Sequence, residues 1–228
     1  VKPRRRRLLD IYDLLYAAHG PQHWWPGDSP FEVIVGAILT QSAAWPNVEK
    51  AIGNLKAAGA LSPQGLRRLD EDELARLIYP SGYFNAKARK LKAFAALLFE
   101  RFDGDLEALL ATPAGVLRPL LLATHGIGPE TADSILLYAA GHPVFVIDAY
   151  TRRLFARLGL APDPDTYEAW QRLFMDVLPL DAPLFNEYHA LIVQHGKEVC
   201  RRVPLCGTCP LLSICPTGRS LLEALAEV

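Results

Sequence analysis

The stretch Thr124-His125-Gly126-Ile127-Gly128-Pro129-Glu130-Thr131-Ala132-Asp133 decides how the rest of the chain is read. Helical patterns flank it on both sides, from about 113 to 123 and from about 129 to 140. Glycine on either side of one apolar residue lets the backbone turn tightly and lets a partner approach it closely. The first amides of the following helix have no partner within the helix, and the positive end of its dipole lies behind them. Such a hairpin suits a phosphate held by backbone alone. A plain helix–helix turn uses the same residues, so the context must decide.

Working outward, helix signals dominate. Leu8, Leu9, Ile11, Tyr12, Leu14 and Leu15 line one face, and Gly20 stands where that helix stops. Ser29-Pro30-Phe31-Glu32 reads as a capping box with proline at the first helical position, opening an apolar helix to Leu39. A third helix spans about 46–58, and Ser62-Pro63 and Asp70-x-x-Glu73 open two more. Another covers about 86–101 and ends near Gly104, and Thr112-Pro113 caps the next. Beyond the hairpin, Gly141-His142-Pro143 breaks the chain. Residues 144–147 are apolar and β-rich but too short to make a sheet. Helices follow at about 149–158, 166–177 and 182–195. The expected fold class is all-α, without internal repeats.

The chain has 228 residues, half of them hydrophobic and 21% charged, which is a globular composition. No apolar run reaches the roughly 18–20 residues of a membrane span. The basic segment Val1 to Arg7 lacks the apolar stretch of a secretory signal, and a cytoplasmic protein is expected. Formal net charge is −1, from 24 basic and 25 acidic residues. Nucleic-acid binding must therefore rest on local motifs. All four cysteines fall between Cys200 and Cys215. A disulfide framework would spread them over longer loops; this cluster reads as a metal site in a reducing compartment.

After the hairpin, its helix and the Gly/Pro break comes Ile147-Asp148-Ala149-Tyr150-Thr151-Arg152-Arg153. Asp148 stands at a helix start, where an N-cap is worth about 1 kcal/mol. The order of hairpin, helix, short apolar segment and aspartate resembles the helix-hairpin-helix DNA glycosylases of the endonuclease III superfamily, from about Trp24 to Cys215. The resemblance implies that Asp148 is the catalytic carboxylate. Breaking a base–sugar bond builds positive charge on the sugar, which a fixed carboxylate stabilises while it guides the attacking water.

Members of that superfamily that also cut the strand carry a lysine two positions after the second hairpin glycine, where this chain has Glu130. A carboxylate cannot form the imine that lyase chemistry needs. Gly126 to Asp133 is instead similar to the bacterial 3-methyladenine glycosylases of the superfamily, as are Trp24-Trp25-Pro26, Leu39-Thr40-Gln41 with Trp45 beyond, Pro80 to Ala88, and His195-Gly196-Lys197. By that resemblance Trp24, Trp25, Trp45, Glu130 and Lys197 line the base pocket. Gln41 and Tyr83 fill or wedge the duplex when a nucleotide is flipped out. Gly126, Gly128, Thr131 and Lys87 meet the DNA, with Arg89 and Lys90 extending a basic patch. Indole faces suit a cationic methylated purine, at about 0.5–2 kcal/mol each.

The cysteine spacing is Cys200-x5-Cys206-x2-Cys209-x5-Cys215. Four thiolates suit tetrahedral zinc or an iron–sulfur cluster, and spacing alone leans to zinc. The resemblance reverses that order. Endonuclease III carries a [4Fe–4S] cluster after a His-Gly pair, with one more residue in the first loop. The resemblance therefore implies two lobes: a helical lobe over 30–139 ending in the hairpin, and a second lobe from 1–29 and 140–228 carrying Asp148 and the cluster loop. A flipped base enters the cleft between them. The implied protein is a monomeric, monofunctional base-excision glycosylase acting on alkylated purines in double-stranded DNA. The rivals are an oxidised-pyrimidine glycosylase with lyase activity, a non-enzymatic damage binder, and a zinc-stabilised protein-binding module.

Overall fold

The helix signals become thirteen α-helices over residues 2–226, the part of the chain that the computed structural model describes. No strand occurs among the described residues. Val1, Glu227 and Val228, at the outer limits expected for the second lobe, lie outside them. No helix among the described residues is long and apolar enough to cross a membrane.

The chain divides into two compact units, Trp25–His142 and a second made from the segments up to Trp24 and from Pro143 onward. The central unit is wider at both ends than 30–139. At its start Trp25 packs edge-on against Trp45 at 5.4 Å and beside Tyr138 at 5.4 Å. At its end the His142 amide donates to the Leu136 carbonyl at 2.8 Å, and its ring nitrogen meets the Thr112 carbonyl at 2.9 Å.

Helix α2 (Pro30–Leu39) is the core of the central unit, with every residue from Phe31 to Leu39 buried. Its capping box is only half made. The Ser29 hydroxyl accepts from the Glu32 amide, but the Glu32 carboxylate turns to Lys56 at 2.9 Å and to the Asp28 amide at 3.3 Å. A charged partner outbids a backbone amide for a nearly buried carboxylate. Around α2 lie α3 (Trp45–Ala57), α4 (Pro63–Arg68), α5 (Glu71–Leu77) and α6 (Phe84–Phe102). The unit continues with α7 (Leu106–Leu110), α8 (Ala114–Ala123) and α9 (Pro129–Ser134). Thr112 does not cap α8; its hydroxyl donates to the Ala108 carbonyl at 2.9 Å, closing α7 instead. Helix α9 runs on as a π-helical turn, Ile135–Ala139.

The second unit holds α1 (Lys2–His19), α10 (Ala149–Arg157), α11 (Tyr167–Met175), α12 (Ala182–Glu198) and α13 (Pro216–Ala226). Residues 144–147 are a buried extended thread through its core. Phe145 stacks on Phe174 with centroids 3.9 Å apart, and the buried Tyr188 hydroxyl donates to the Leu8 carbonyl at 2.7 Å. The thread's apolar run is therefore core packing.

Candidate nucleic-acid and catalytic site

The two hairpin glycines are needed for different reasons. Gly126 has φ +78°, the left-handed region, and a methyl group there would collide with the Lys90 side chain. Gly128 has an ordinary φ of −88° and nothing within 4 Å of where a side chain would start. The chain itself leaves that space open, so the missing side chain favours close approach from outside. No side chain caps α9, and Pro129 at its first position brings no amide of its own. Glu130 follows, exposed in the first turn.

Gln41, expected to fill the duplex, is engaged within the chain. Its amide nitrogen donates to the Gly126 carbonyl at 3.1 Å and the Thr131 hydroxyl at 2.9 Å. Its amide oxygen accepts from the Lys90 ammonium. Gln41 and Lys90 thus brace the hairpin. Thr131 is buried in this brace and does not face solvent. Behind it, Arg118 grips the fully buried Asp133 with two bonds, at 2.7 and 3.1 Å.

Lys87 corrects a second expectation. It does not face phosphates; it is 1% exposed, and its ammonium donates to the carbonyls of Leu39 at 2.8 Å and Ser81 at 2.6 Å. It ties the C-terminal end of α2 to the 3-10 turn Tyr79–Ser81. Burial first, and Lys90 second, push its pKa down to about 8. Lys87→Met leaves two carbonyls without this donor and is expected to lower stability by about 2–4 kcal/mol at neutral pH. The native lysine releases its proton below the pH at which the unfolded one does. Wild-type stability relative to Lys87→Met should therefore rise from about pH 8 up to the ordinary lysine range near 10.5. Urea unfolding of both proteins across that range checks the magnitude and the sign.

Just past this strut stands Tyr83, 74% exposed and held at φ +46°. A left-handed bulky residue is strained backbone of the kind found at functional sites. Trp25 and Trp45 belong to the same unit, and the Trp25 indole lies over Gly36, where a methyl group would come within 3.2 Å of the ring. Trp24 falls in the other unit, where the exposed Lys197 ammonium sits 5.5 Å from its ring centroid.

Asp148 is also in the second unit, as the N-cap of α10. One carboxylate oxygen accepts the Thr151 amide at 2.7 Å; the other lies 3.5 Å from the His189 Nε2 on α12. Its side chain is 12% exposed. Burial works to raise its pKa, but His189 and the Thr151 bonds outweigh burial and hold it below the usual carboxylate value. The site therefore keeps a negative charge in a nearly dry setting.

Cys200, Cys206, Cys209 and Cys215 line one cavity of about 380 Å3, counting the part open to solvent. Leu154, Leu158, Val199, Leu211 and Leu212 form its apolar wall. None of the four is in a disulfide. No three His, Cys, Asp or Glu side chains gather as the donors of one ion among the described residues. Gly218 adjoins the cysteines, and its amide donates to the Cys215 sulfur at 3.3 Å. Arg157 governs the first loop. It donates to the Cys200 sulfur at 3.2 Å and to the carbonyls of Arg201 at 2.7 Å and Arg202 at 3.0 Å, leaving those two side chains exposed. His195, fully buried, lies between His19 at 3.1 Å and the Cys209 sulfur at 3.6 Å. Burial and then His19 lower its pKa to about 4.

Residues 35–180 match the family model described as "HhH-GPD superfamily base excision DNA repair protein". The chain belongs to that superfamily, the class of helix-hairpin-helix glycosylases expected from the hairpin and Asp148. A relative from Methanocaldococcus jannaschii, named "Putative DNA repair glycosylase MJ1434", is 44% identical over 210 residues, covering 91% of this chain and 95% of that protein. A solved endonuclease III–DNA covalent intermediate shares the fold at TM-score 0.82 and 22% identity, over 96% of this chain and 98% of the other. The 3-methyladenine DNA glycosylase of H. pylori, solved with 1,N6-ethenoadenine, gives TM-score 0.69 at 28% identity, over 85% and 95%.

His189 and Arg157 were not among the residues expected to matter, and Lys90, expected in a basic patch, is engaged with Gln41 instead. The signal for His189 was a lone imidazole inside the apolar run of α12.

Proposed function

We propose that the protein is a monofunctional DNA glycosylase that hydrolyses the base–sugar bond of alkylated purines. The observation that carries this reading is Glu130 at the hairpin position where strand-cutting relatives present an amine. A carboxylate there cannot form the covalent imine of lyase chemistry. The aromatic group of Trp25, Trp45 and Tyr138 supports a flat, electron-poor base as ligand. The 28% identity to a glycosylase solved with an ethenoadenine adds to it.

Each residue then has a task. Gly128 and the open start of α9 take a backbone phosphate, and Arg89 and the exposed Arg201 and Arg202 add charge. Tyr83 is the wedge, since it alone of the two expected intercalating residues stands free of the hairpin brace. Asp148 stabilises the sugar cation. The bond pair leaves with the base, water adds to the sugar carbon, and its proton passes to the Asp148 carboxylate.

We also infer that the four cysteines hold a [4Fe–4S] cluster. All four line one cavity walled by leucines, thiolates suit an iron–sulfur cluster, and the likeness to endonuclease III favours it over zinc. The cluster, when bound, cross-links the loop and offers electron transfer. Arg157, which donates to the Cys200 sulfur, borders its seat.

The test uses purified protein on randomly methylated duplex DNA, with released bases identified by mass spectrometry. Released methylated adenine, intact strands before alkali, and no covalent adduct on borohydride treatment are expected. Trapped protein–DNA adducts would instead favour a lyase using another amine. Lys197, close to the Trp24 ring, is the one to replace in that case.

A further inference from the structure

We propose that His189 is a positioning residue for the Asp148 carboxylate. The proposal deepens the reading above and rests on Asp148 being the reacting carboxylate. An N-cap needs one oxygen and one amide, and Thr151 already supplies that amide to Asp148. An apolar residue at 189 would pack as well in a helix whose neighbouring positions, Tyr188, Ala190, Leu191 and Ile192, are buried. The chain instead spends a buried imidazole, 6% exposed, whose Nε2 lies 3.5 Å from the second carboxylate oxygen.

The surroundings fix that approach. His189 and Gly196 lie two turns apart on one face of α12. At Gly196 a methyl group would come within 2.5 Å of the Tyr150 ring, so α10 and α12 meet with almost no space between them. Arg153 on α10 locks the contact by donating to the carbonyls of Gly196 and Cys200, both at 2.9 Å. On its other side the His189 ring stands edge-on to Phe145, with centroids 6.4 Å apart. Thr151 holds one oxygen and His189 stands beside the other, so rotation about χ2 would move the carboxylate away from both. His189 and Thr151 are the groups that act on its charge. A distance of 3.5 Å is long for a hydrogen bond, and such contacts tighten when substrate excludes water.

The role separates from simple packing in a set of variants. His189→Leu removes the donor; His189→Gln places an amide nitrogen near the old Nε2; His189→Asn keeps the polarity but falls short of Asp148. Single-turnover release from methylated duplex should drop about tenfold in His189→Leu and His189→Asn, the equivalent of one pKa unit of lost interaction. Duplex binding should hold, and His189→Gln should recover most of the loss. The second readout needs no substrate. Carboxyl 13C NMR, with the Asp148 signal assigned from Asp148→Asn, should show Asp148 titrating at higher pH in His189→Leu than in the wild type, because burial then acts with less opposition. If His189→Leu does not fold, His189→Asn carries both readouts.

An Asp148 titration unmoved in these variants, with base release at the wild-type rate, would overturn the proposal while leaving Asp148 catalytic. Base release by Asp148→Asn at the wild-type rate would overturn the catalytic reading and this proposal with it.

Discussion

Asp148→Asn is expected to cut base release on the order of 10³-fold, the scale of removing one preorganised electrostatic group from a transition state. The substitution is informative because it leaves the scaffold alone. Asparagine caps a helix as well as aspartate does, and its side-chain oxygen can still accept the Thr151 amide bond seen at 2.7 Å. Stability at neutral pH should therefore fall modestly, while the charge proposed to answer the sugar cation is gone. The residual difference in stability has a defined pH window. Asp148 is held below its ordinary value of 3.8 in the folded chain, so its ionised form stabilises the fold above that value. The contribution disappears as pH falls through the folded value, and the two proteins should converge in acid. Single-turnover release, with urea unfolding at several pH values, separates the lost chemistry from the lost capping.

Cys215→Ser should give the largest change in folding. Protein purified without oxygen should be brown and carry about four irons per chain; the variant should be pale and deficient in iron. The cavity behind the cysteines is faced by Leu158, Val199, Leu211, Leu212 and Leu221, which bring α10, the cysteine loop and α13 to one place. Without the bound group these side chains line an empty space. Because such sites do not exist in the unfolded chain, binding energy is folding energy, and several kcal/mol should be lost from this region. Limited proteolysis should cut first between Cys200 and Cys215. One zinc per colourless chain would reject the cluster and retain the loop.

The sequence carried the helices well wherever caps and periodicity agreed. It missed α7 because five residues hold too little period, although Asp105 before it caps the Ala108 amide at 3.0 Å. It missed α13, where Pro216 after the last cysteine was the available start signal. Lys87 departs from the expectation for a reason its spacing explains. It shares a buried face with Leu91, Phe94, Ala95 and Leu98, at helical spacing, while its neighbour Arg89 points outward. Gln41 could not have been read, since its partners lie at Gly126 and Thr131, far along the chain. The capping position of Asp148 was legible because a helix start leaves a local signature. Its companion His189 was not, because packing of α12 on α10 brings it there.

The second unit is assembled from two separated stretches of chain, whereas Trp25–His142 is continuous. That has a consequence for synthesis on the ribosome. Domains fold as units during translation, at about 5–20 residues each second. The continuous unit, with the hairpin and its Gln41–Lys90 brace, is complete once His142 has emerged. Helix α1 must wait for α12 before its Leu8 carbonyl meets Tyr188, and Asp148 must wait for the same helix before it meets His189. A nascent or truncated chain can therefore present a finished hairpin before it owns a tuned carboxylate. The carboxylate acquires its imidazole neighbour only after α12 has been made.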